Sequence, residues 1–135
     1  MKIKQLLLPL FPLLLTASCG EDLSPEAAAV KEAKKIVQES YNHLLKGNYE
    51  AFLSGRMDGD ELPADYREQL VTGYKQFMYQ QQKSHGGINE FIVTDTKIDS
   101  AQHQILVFLT ANYADSLSEE IVIPVIERDG KWKMK

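Results

Sequence analysis

Hydrophobic residues recur with two different periods along this chain. Between residues 24 and 85 the period is near 3.6, which is typical of amphipathic helices, and after Gly87 it is 2, which is typical of half-buried strands. The pattern therefore predicts helices first and strands afterwards. The helices are expected at 25–47, 49–54 and 63–85, and the strands at 88–99, 103–113, 119–128 and 132–134.

The first helix has clear start and stop signals. Ser24 can accept hydrogen bonds from the free amides of the first turn, and Pro25 suits the first helical position. Gly47 is expected to end the helix in a left-handed conformation, and Asn48 is expected to cap the short second helix. An apolar stripe predicts the buried face of the first helix: Val30, Ala33, Val37, Tyr41 and Leu44.

The third helix carries its own apolar stripe, which predicts a face packed into the core. Gly73 lies on this face and would allow close approach of another element. The predicted inner positions are Tyr66, Leu70, Tyr74, Phe77, Met78 and Gln81.

The turns between the predicted strands are short, so neighbouring strands must be antiparallel. Asp129-Gly130 is typical of a two-residue hairpin turn. Pro124 cannot donate a ladder hydrogen bond, which predicts either a bulge or an outward-facing nitrogen. Trp132 is expected to close the core. Together the patterns predict an α+β fold in which helices cover one face of a curved antiparallel sheet.

The second face of this sheet is also apolar in its middle. A single layer of helices buries one face only, so the other would present an apolar patch with a polar rim. We expect this patch to be the surface of a homodimer or of an envelope protein partner; covering by a helix or loop of the same chain is the alternative. Its central residues are Leu106, Phe108, Val122 and Ile126.

Residues 1–18 have the pattern of a secretory signal peptide: a positive start, a short apolar core and small residues before Cys19. The arrangement resembles the lipobox of bacterial lipoproteins, which implies that Cys19 becomes the lipidated first residue and attaches the protein to a membrane. Residues 19–23 would then be a lipidated tether and 24–135 a single domain. A buried amino-terminal helix is the alternative.

Charge and cysteine content restrict the class of protein further. Loss of residues 1–18 removes Lys2 and Lys4, so 13 of the 15 basic residues remain against 19 acids and the net charge changes from −4 to −6. An acidic surface disfavours nucleic-acid binding. No second cysteine exists for a disulfide. The acidic pair Glu21-Asp22 resembles a surface-export signal, so we expect a lipid-anchored protein of the outer membrane, exposed at the cell surface if that signal acts.

Two short motifs and the order of the elements resemble a known fold family. Gly-Asn-Tyr-Glu-Ala-Phe at 47–52 and Asp-Gly-Lys-Trp-Lys-Met at 129–134 are similar to segments of the cone-shaped nuclear-transport-factor-like (cystatin-like) fold. Small bacterial lipoproteins of unknown function with such a domain are the nearest relatives by appearance. The resemblance covers 24–135 and implies a cone that is either filled or holds a pocket. The fold family also includes ketosteroid-isomerase-like enzymes, which use a carboxylate base and a tyrosine or acid oxyanion site.

No residue is assigned a catalytic role from the sequence. Tyr41, Tyr66 and Tyr74 are expected to point inward, but no acid falls on an inward position, as acid–base catalysis would require. His43, His85 and His103 lack the spacing of metal ligands, so neither a metal nor a cofactor is expected.

Two sets of loop residues have alternative interpretations. Asp58, Asp60 and Glu61 are interpreted as a solvated acidic loop, because Leu62 and Pro63 interrupt the spacing of a calcium loop. Ser100 and Ser116 each follow an aspartate and precede an apolar residue, which resembles a bacterial O-glycosylation motif; ordinary turn chemistry is the alternative.

From the sequence we therefore expect a non-enzymatic, lipid-anchored envelope module that binds a partner protein or small ligand. The alternative is a cone-fold enzyme or small-ligand-pocket protein whose acid–base residues the sequence does not identify, and a third interpretation is an assembly accessory of a larger envelope complex.

Overall fold

A computed structural model describes residues 24–135. The predictions made for the signal peptide, Cys19 and the tether lie outside these residues. The helices are α1 (Pro25–Leu45), α2 (Tyr49–Ser54) and α3 (Ala64–His85), with a turn of 3-10 helix at Gly59–Glu61. The strands are β1 (Ile88–Asp99), β2 (Gln104–Tyr113), β3 (Ser118–Arg128) and β4 (Lys131–Met134). Neither α1 nor α3, the two long helices of this range, is apolar enough to cross a membrane.

The ends of α1 form as their sequence predicts. Ser24 Oγ accepts a hydrogen bond from the Ala27 amide at 3.0 Å, and Gly47 follows the helix with φ +83°. Ala33, Val37 and Leu44 are buried. The amphipathic stripe therefore sets which side of α1 meets the sheet.

The four strands form one antiparallel sheet in the order β1-β2-β3-β4. The pairing of β1 with β2 shifts register between Ile88 and Glu90 and between Val93 and Asp95. Such bulges bend a strand and increase its twist, so they curve the sheet around the helices. Asp129 and Gly130, with φ of 56° and 79°, form the predicted two-residue turn.

Pro124 leaves the β2–β3 ladder undisturbed. It pairs with Leu106 without a register shift, so there is no bulge. Its carbonyl accepts a hydrogen bond from the Lys135 amide at 2.8 Å, on the side away from β2. In an extended strand the nitrogen and the carbonyl of one residue face the same side, so the Pro124 nitrogen also points away from β2. This is the outward-facing nitrogen, one of the two predicted alternatives. Because β4 pairs only with Val125 to Arg128, the rest of β3 is an edge of the sheet.

The core lies between α1 and the inner face of the sheet. Along β2 every second residue is buried, from Ile105 to Tyr113. The buried members of the core cluster lie between Ala33 and Met134, and the half-buried residues at its margin lie between Ala29 and Trp132. A chain of residues 20–135 therefore keeps every member of this cluster.

Gln38 connects α1 to the free edge of β1. Its side-chain Nε2 donates to the Phe91 carbonyl at 2.7 Å, and its Oε1 accepts from the Val93 amide at 3.0 Å. One side chain therefore satisfies a donor and an acceptor of the strand, as a neighbouring strand would.

The prediction that α3 packs its apolar stripe into the core is correct only in part: Tyr74 and Met78 pack against the core cluster, whereas the other residues of the stripe do not belong to it. None of its residues is fully buried, and the side chains of Tyr66 and Phe77 are 48% and 42% exposed. No atom outside its own turn lies within 4 Å of a Cβ placed at Gly73, so that glycine serves no close approach. The reason is that α3 packs on α2 and β1 and leaves a space between itself and β3.

Two smaller expectations also differ from the structure. Trp132 packs against the core cluster but is only half-buried, so it lies at the margin of the core and does not close it. His103 does not open a strand; it lies in the preceding turn with φ 54°.

Candidate functional site

A cavity of about 450 Å³ lies between the three helices and the free part of β3. Its lining is mostly aromatic and aliphatic. The lining residues are Tyr41, Leu44, Phe52, Arg56, Tyr74, Phe77, Phe91, Ile121, Val122, Ile123, Pro124, Met134 and Lys135.

Four aromatic rings form one wall of the cavity. Tyr41 makes edge-to-face contacts with Phe52 and with Phe91, both with ring centroids 5.0 Å apart. Phe52 makes a third such contact with Tyr74 at 4.9 Å. Edge-to-face geometry is favourable for aromatic pairs. The four rings therefore hold one another in place, and the wall exists before any ligand binds.

Arg56 brings a positive charge to this wall. Its Nη1 donates to the Tyr74 hydroxyl at 3.0 Å. The backbone on either side is held by β4, because the Met134 amide donates to the Gly55 carbonyl at 2.9 Å and the Met57 amide donates to the Met134 carbonyl at 2.7 Å. Gly55 itself lies so close to Ser40 of α1 that a Cβ would collide with the serine hydroxyl.

Tyr41 presents a protonated hydroxyl to the cavity. Burial raises its pKa above the ordinary value, the charge of Arg56 opposes that shift, and Tyr74 adds to it. A tyrosine already ionises only near pH 10. Tyr41 is therefore neutral at physiological pH and can donate a hydrogen bond.

The lining of the cavity contains few functional groups that are suited to acid–base or covalent chemistry. Among the described residues that line it there is no carboxylate, imidazole, thiol or aliphatic hydroxyl. Tyrosine and lysine can also act as general acids, general bases or nucleophiles when a neighbouring group activates them. Tyr41, Tyr74 and Lys135 line the cavity, but no histidine, aspartate or glutamate lines it beside them. Tyr41 and Tyr74 reach the cavity as expected from the helix pattern, whereas Tyr66 is not part of it.

The residues expected to form an interface lie on the outer face of the sheet, and none belongs to the core cluster. Phe108 pairs with Val122 across the β2–β3 ladder, and Leu106 pairs with Pro124. Val122 is 45% exposed, while Leu106, Phe108 and Ile126 are half-buried by their neighbours on the same face. The patch is thus less exposed than the alternating pattern suggested.

The predicted glycosylation serines are both exposed and lie in turns. Asp99 accepts a hydrogen bond from the Gln102 amide at 3.2 Å, and Asp115 accepts one from the Leu117 amide at 3.1 Å. Both aspartates therefore act as turn residues. Modification of Ser100 and Ser116 stays a prediction, which an intact mass of the native protein tests.

Residues 24–135 contain no cluster of three or more histidine, cysteine or acidic residues arranged to hold a metal. In the acidic loop, Asp58 pairs with Arg128 at 2.8 Å. Asp60 accepts from the Ser54 hydroxyl at 2.7 Å, which lowers the pKa of its carboxyl. These carboxylates are thus engaged with side chains of the same chain.

No family model matches the chain, and no curated protein matches it. Among solved structures, a Campylobacter jejuni protein named "Putative NTF2-like transpeptidase" has the same fold, with a TM-score of 0.58 and 8% sequence identity over 74% of this chain and 94% of that one. Likeness at such low identity concerns the fold alone. The predicted architecture, helices followed by the curved four-stranded sheet of an NTF2-like cone, is confirmed.

Arg56 is the site residue that sequence reasoning missed. It stands in the irregular segment after α2, where no periodicity predicts a direction for its side chain. One sequence signal could have indicated the cavity, though not Arg56 itself. The α3 helix carries an apolar stripe with two tyrosines and a phenylalanine, while the other elements of the domain already supply a core.

Proposed function

We propose that this protein is a non-enzymatic, lipid-anchored module of the cell envelope that binds a small, largely apolar molecule in the cavity between α3 and β3. The observation that carries the proposal is the cavity itself. Its volume of about 450 Å³ falls in the range of small-molecule sites. Apolar walls with a few convergent polar groups are the usual composition of such sites.

An NTF2-like cone also supports an enzyme, and the structural neighbour carries the name of a transpeptidase. Transfer of an acyl group requires a nucleophile and a base. The candidate nucleophiles among the described lining residues are Tyr41, Tyr74 and Lys135, and no histidine, aspartate or glutamate lines the cavity to act as their base, which favours binding over catalysis.

The proposal is tested with N-phenyl-1-naphthylamine, a neutral apolar dye whose fluorescence rises in apolar surroundings. Residues 20–135 are expected to bind it with a saturable increase in fluorescence. Ile121→Trp places a larger side chain on the lining of the cavity and should abolish this binding. Ile92→Trp is the matched control, because Ile92 is 41% exposed and lies outside the cavity.

Two outcomes would contradict ligand binding in the cavity. One is the absence of saturable dye binding by a chain whose circular dichroism shows it folded. The other is equal loss of binding in Ile121→Trp and Ile92→Trp, which would indicate a site elsewhere or a general effect of the added ring.

Anchoring through Cys19 rests on the pattern of residues 1–19. Two or more acyl chains hold a protein firmly to a membrane surface. In bacteria that process lipoproteins, the full chain should incorporate labelled palmitate and partition into a detergent phase, and Cys19→Ala should do neither. Palmitate incorporation by Cys19→Ala would show that the lipid is attached elsewhere.

The outer sheet face is proposed as the contact surface for a second copy of this chain. Asp95 and Lys97 lie beside its apolar centre, paired with Phe108 and Leu106 respectively. Because these opposite charges stand on one strand, two copies related by a two-fold axis can place Asp95 of each copy beside Lys97 of the other.

A further inference from the structure

The polar side chains of the cavity are all hydrogen-bond donors with capacity left over. Arg56 has five N–H groups, of which one is used on Tyr74. The Tyr74 hydroxyl accepts that bond, so its own proton remains available. Tyr41 contributes a second hydroxyl. With Lys135, the other charged lining residue, these groups present donors and positive charge, and among the described residues no aspartate or glutamate lines the cavity to neutralise them.

Arg56 differs from the other two arginines of the chain in its partners. Arg67 forms an ion pair with Glu50 at 2.5 Å, and Arg128 forms one with Asp58 at 2.8 Å. Within residues 24–135, Arg56 has no ion pair with any carboxylate. A half-buried cation beside apolar rings is costly unless an anion accompanies it.

We propose that the cavity selects an amphiphile with a carboxylate head, held by Arg56 and by the hydroxyls of Tyr41 and Tyr74, with its apolar chain along Phe77 and Ile121. The planar guanidinium matches a carboxylate, which can accept two parallel N–H bonds. This inference rests on the proposed function and adds the chemical class of the ligand.

The size of the cavity limits the apolar part of the ligand. At roughly 30 Å³ per water-sized group, the cavity holds about fifteen such groups. A carboxylate with a chain of eight carbon atoms fits within that volume. A diacyl lipid is too large to lie wholly within it, so a single-chain acid is the class that this volume fits best.

The experiment compares three probes with the same eight-carbon chain: octanoate, 1-octanol and octylammonium. Dissociation constants for residues 20–135 at pH 7.5 are obtained from amide chemical-shift titrations, which also locate the bound chain. Octanoate should bind about tenfold to a hundredfold more tightly than octanol, the range expected for hydrogen bonds to a charged group. Octylammonium should bind no better than octanol.

Two variants assign the difference to Arg56. Arg56→Met keeps an unbranched apolar stem and removes the charge. Octanoate should then bind no more tightly than octanol, while the dissociation constant of octanol should stay the same. Lys35→Gln is the matched control, because Lys35 is an exposed cation of α1 that does not line this cavity. It should leave all three constants unchanged.

The outcomes separate this inference from the proposed function. Equal binding of octanoate and octanol by the unmodified chain overturns carboxylate selection and leaves apolar binding intact. Failure of every probe to shift the cavity amides overturns both. The comparison of probes on the unmodified chain decides the matter even if Arg56→Met does not fold.

Discussion

Arg56 Nη1 lies 3.0 Å from Tyr74 Oη and so joins the segment after α2 to the middle of α3. The ring of Tyr74 meets Phe52 of α2 edge to face. Tyr74 of α3 thereby makes both a polar and an aromatic contact with residues of α2 and of the segment that follows it.

Tyr74→Phe should weaken this attachment only slightly. The ring contact with Phe52 persists, and the half-buried guanidinium can turn to water, so the free energy of unfolding should fall by about 0.5–1.5 kcal/mol. Urea unfolding measures the change. Tyr79→Phe is the control, since Tyr79 is 60% exposed. Equal effects of the two variants would show that the Arg56 bond contributes nothing to stability.

Gln38→Ala removes both hydrogen bonds to the edge of β1. Each is worth about 1 kcal/mol, so the free energy of unfolding should fall by about 1–3 kcal/mol. Hydrogen exchange of the Val93 amide should also accelerate, because that amide loses its acceptor. Glu39→Ala, an exposed neighbour on the same helix, should change neither quantity. An unchanged exchange rate in Gln38→Ala would contradict the assigned contact.

The ionisation of Tyr113 is expected to lower the stability of the fold in alkali. Burial, together with the 2.6 Å hydrogen bond that its hydroxyl donates to Glu119, raises its pKa to about 12, whereas an unfolded tyrosine has a pKa near 10. The folded state thus favours the protonated form. The resulting stabilisation is complete below pH 10 and is lost as the pH rises from 10 to 12.

The measurement is the urea midpoint of unfolding across that pH range. Tyr113→Phe should flatten its dependence on pH, while Tyr66→Phe, at a site 48% exposed, should not. A slope unchanged in Tyr113→Phe would assign the alkaline transition to other groups.

The outer sheet face predicts self-association of residues 20–135. Phe108→Glu places a charge at the centre of the patch and should shift a concentration-dependent dimer to monomer, as measured by light scattering. Leu117→Glu puts the same charge in the exposed β2–β3 turn and should leave the dimer intact. A monomer at high concentration in the unmodified chain rules out this use of the face.

The change of period after Gly87 predicted the order of helices and strands correctly, because apolar periodicity is a local property of the chain. Sequence reasoning also placed Tyr41 and Tyr74 on inward faces. It placed Phe77 there as well, and Phe77 lines the cavity and is not buried in the core. Only Tyr66 was placed on the wrong side, since a stripe shows only that one side of a helix avoids water. The same stripe fits a packed core and the wall of a cavity.

The sequence by itself therefore determined the elements of this protein, the caps of α1, the Asp129-Gly130 hairpin and the α+β class. Only the tertiary structure decided that α3 stands away from β3, that Arg56 donates to Tyr74, and that both line one cavity with Tyr41. Capping, turn formation and periodicity act over a few residues, where the chain alone sets the geometry. The cavity depends on how far separate elements approach one another, and that distance is set by side chains remote in the sequence.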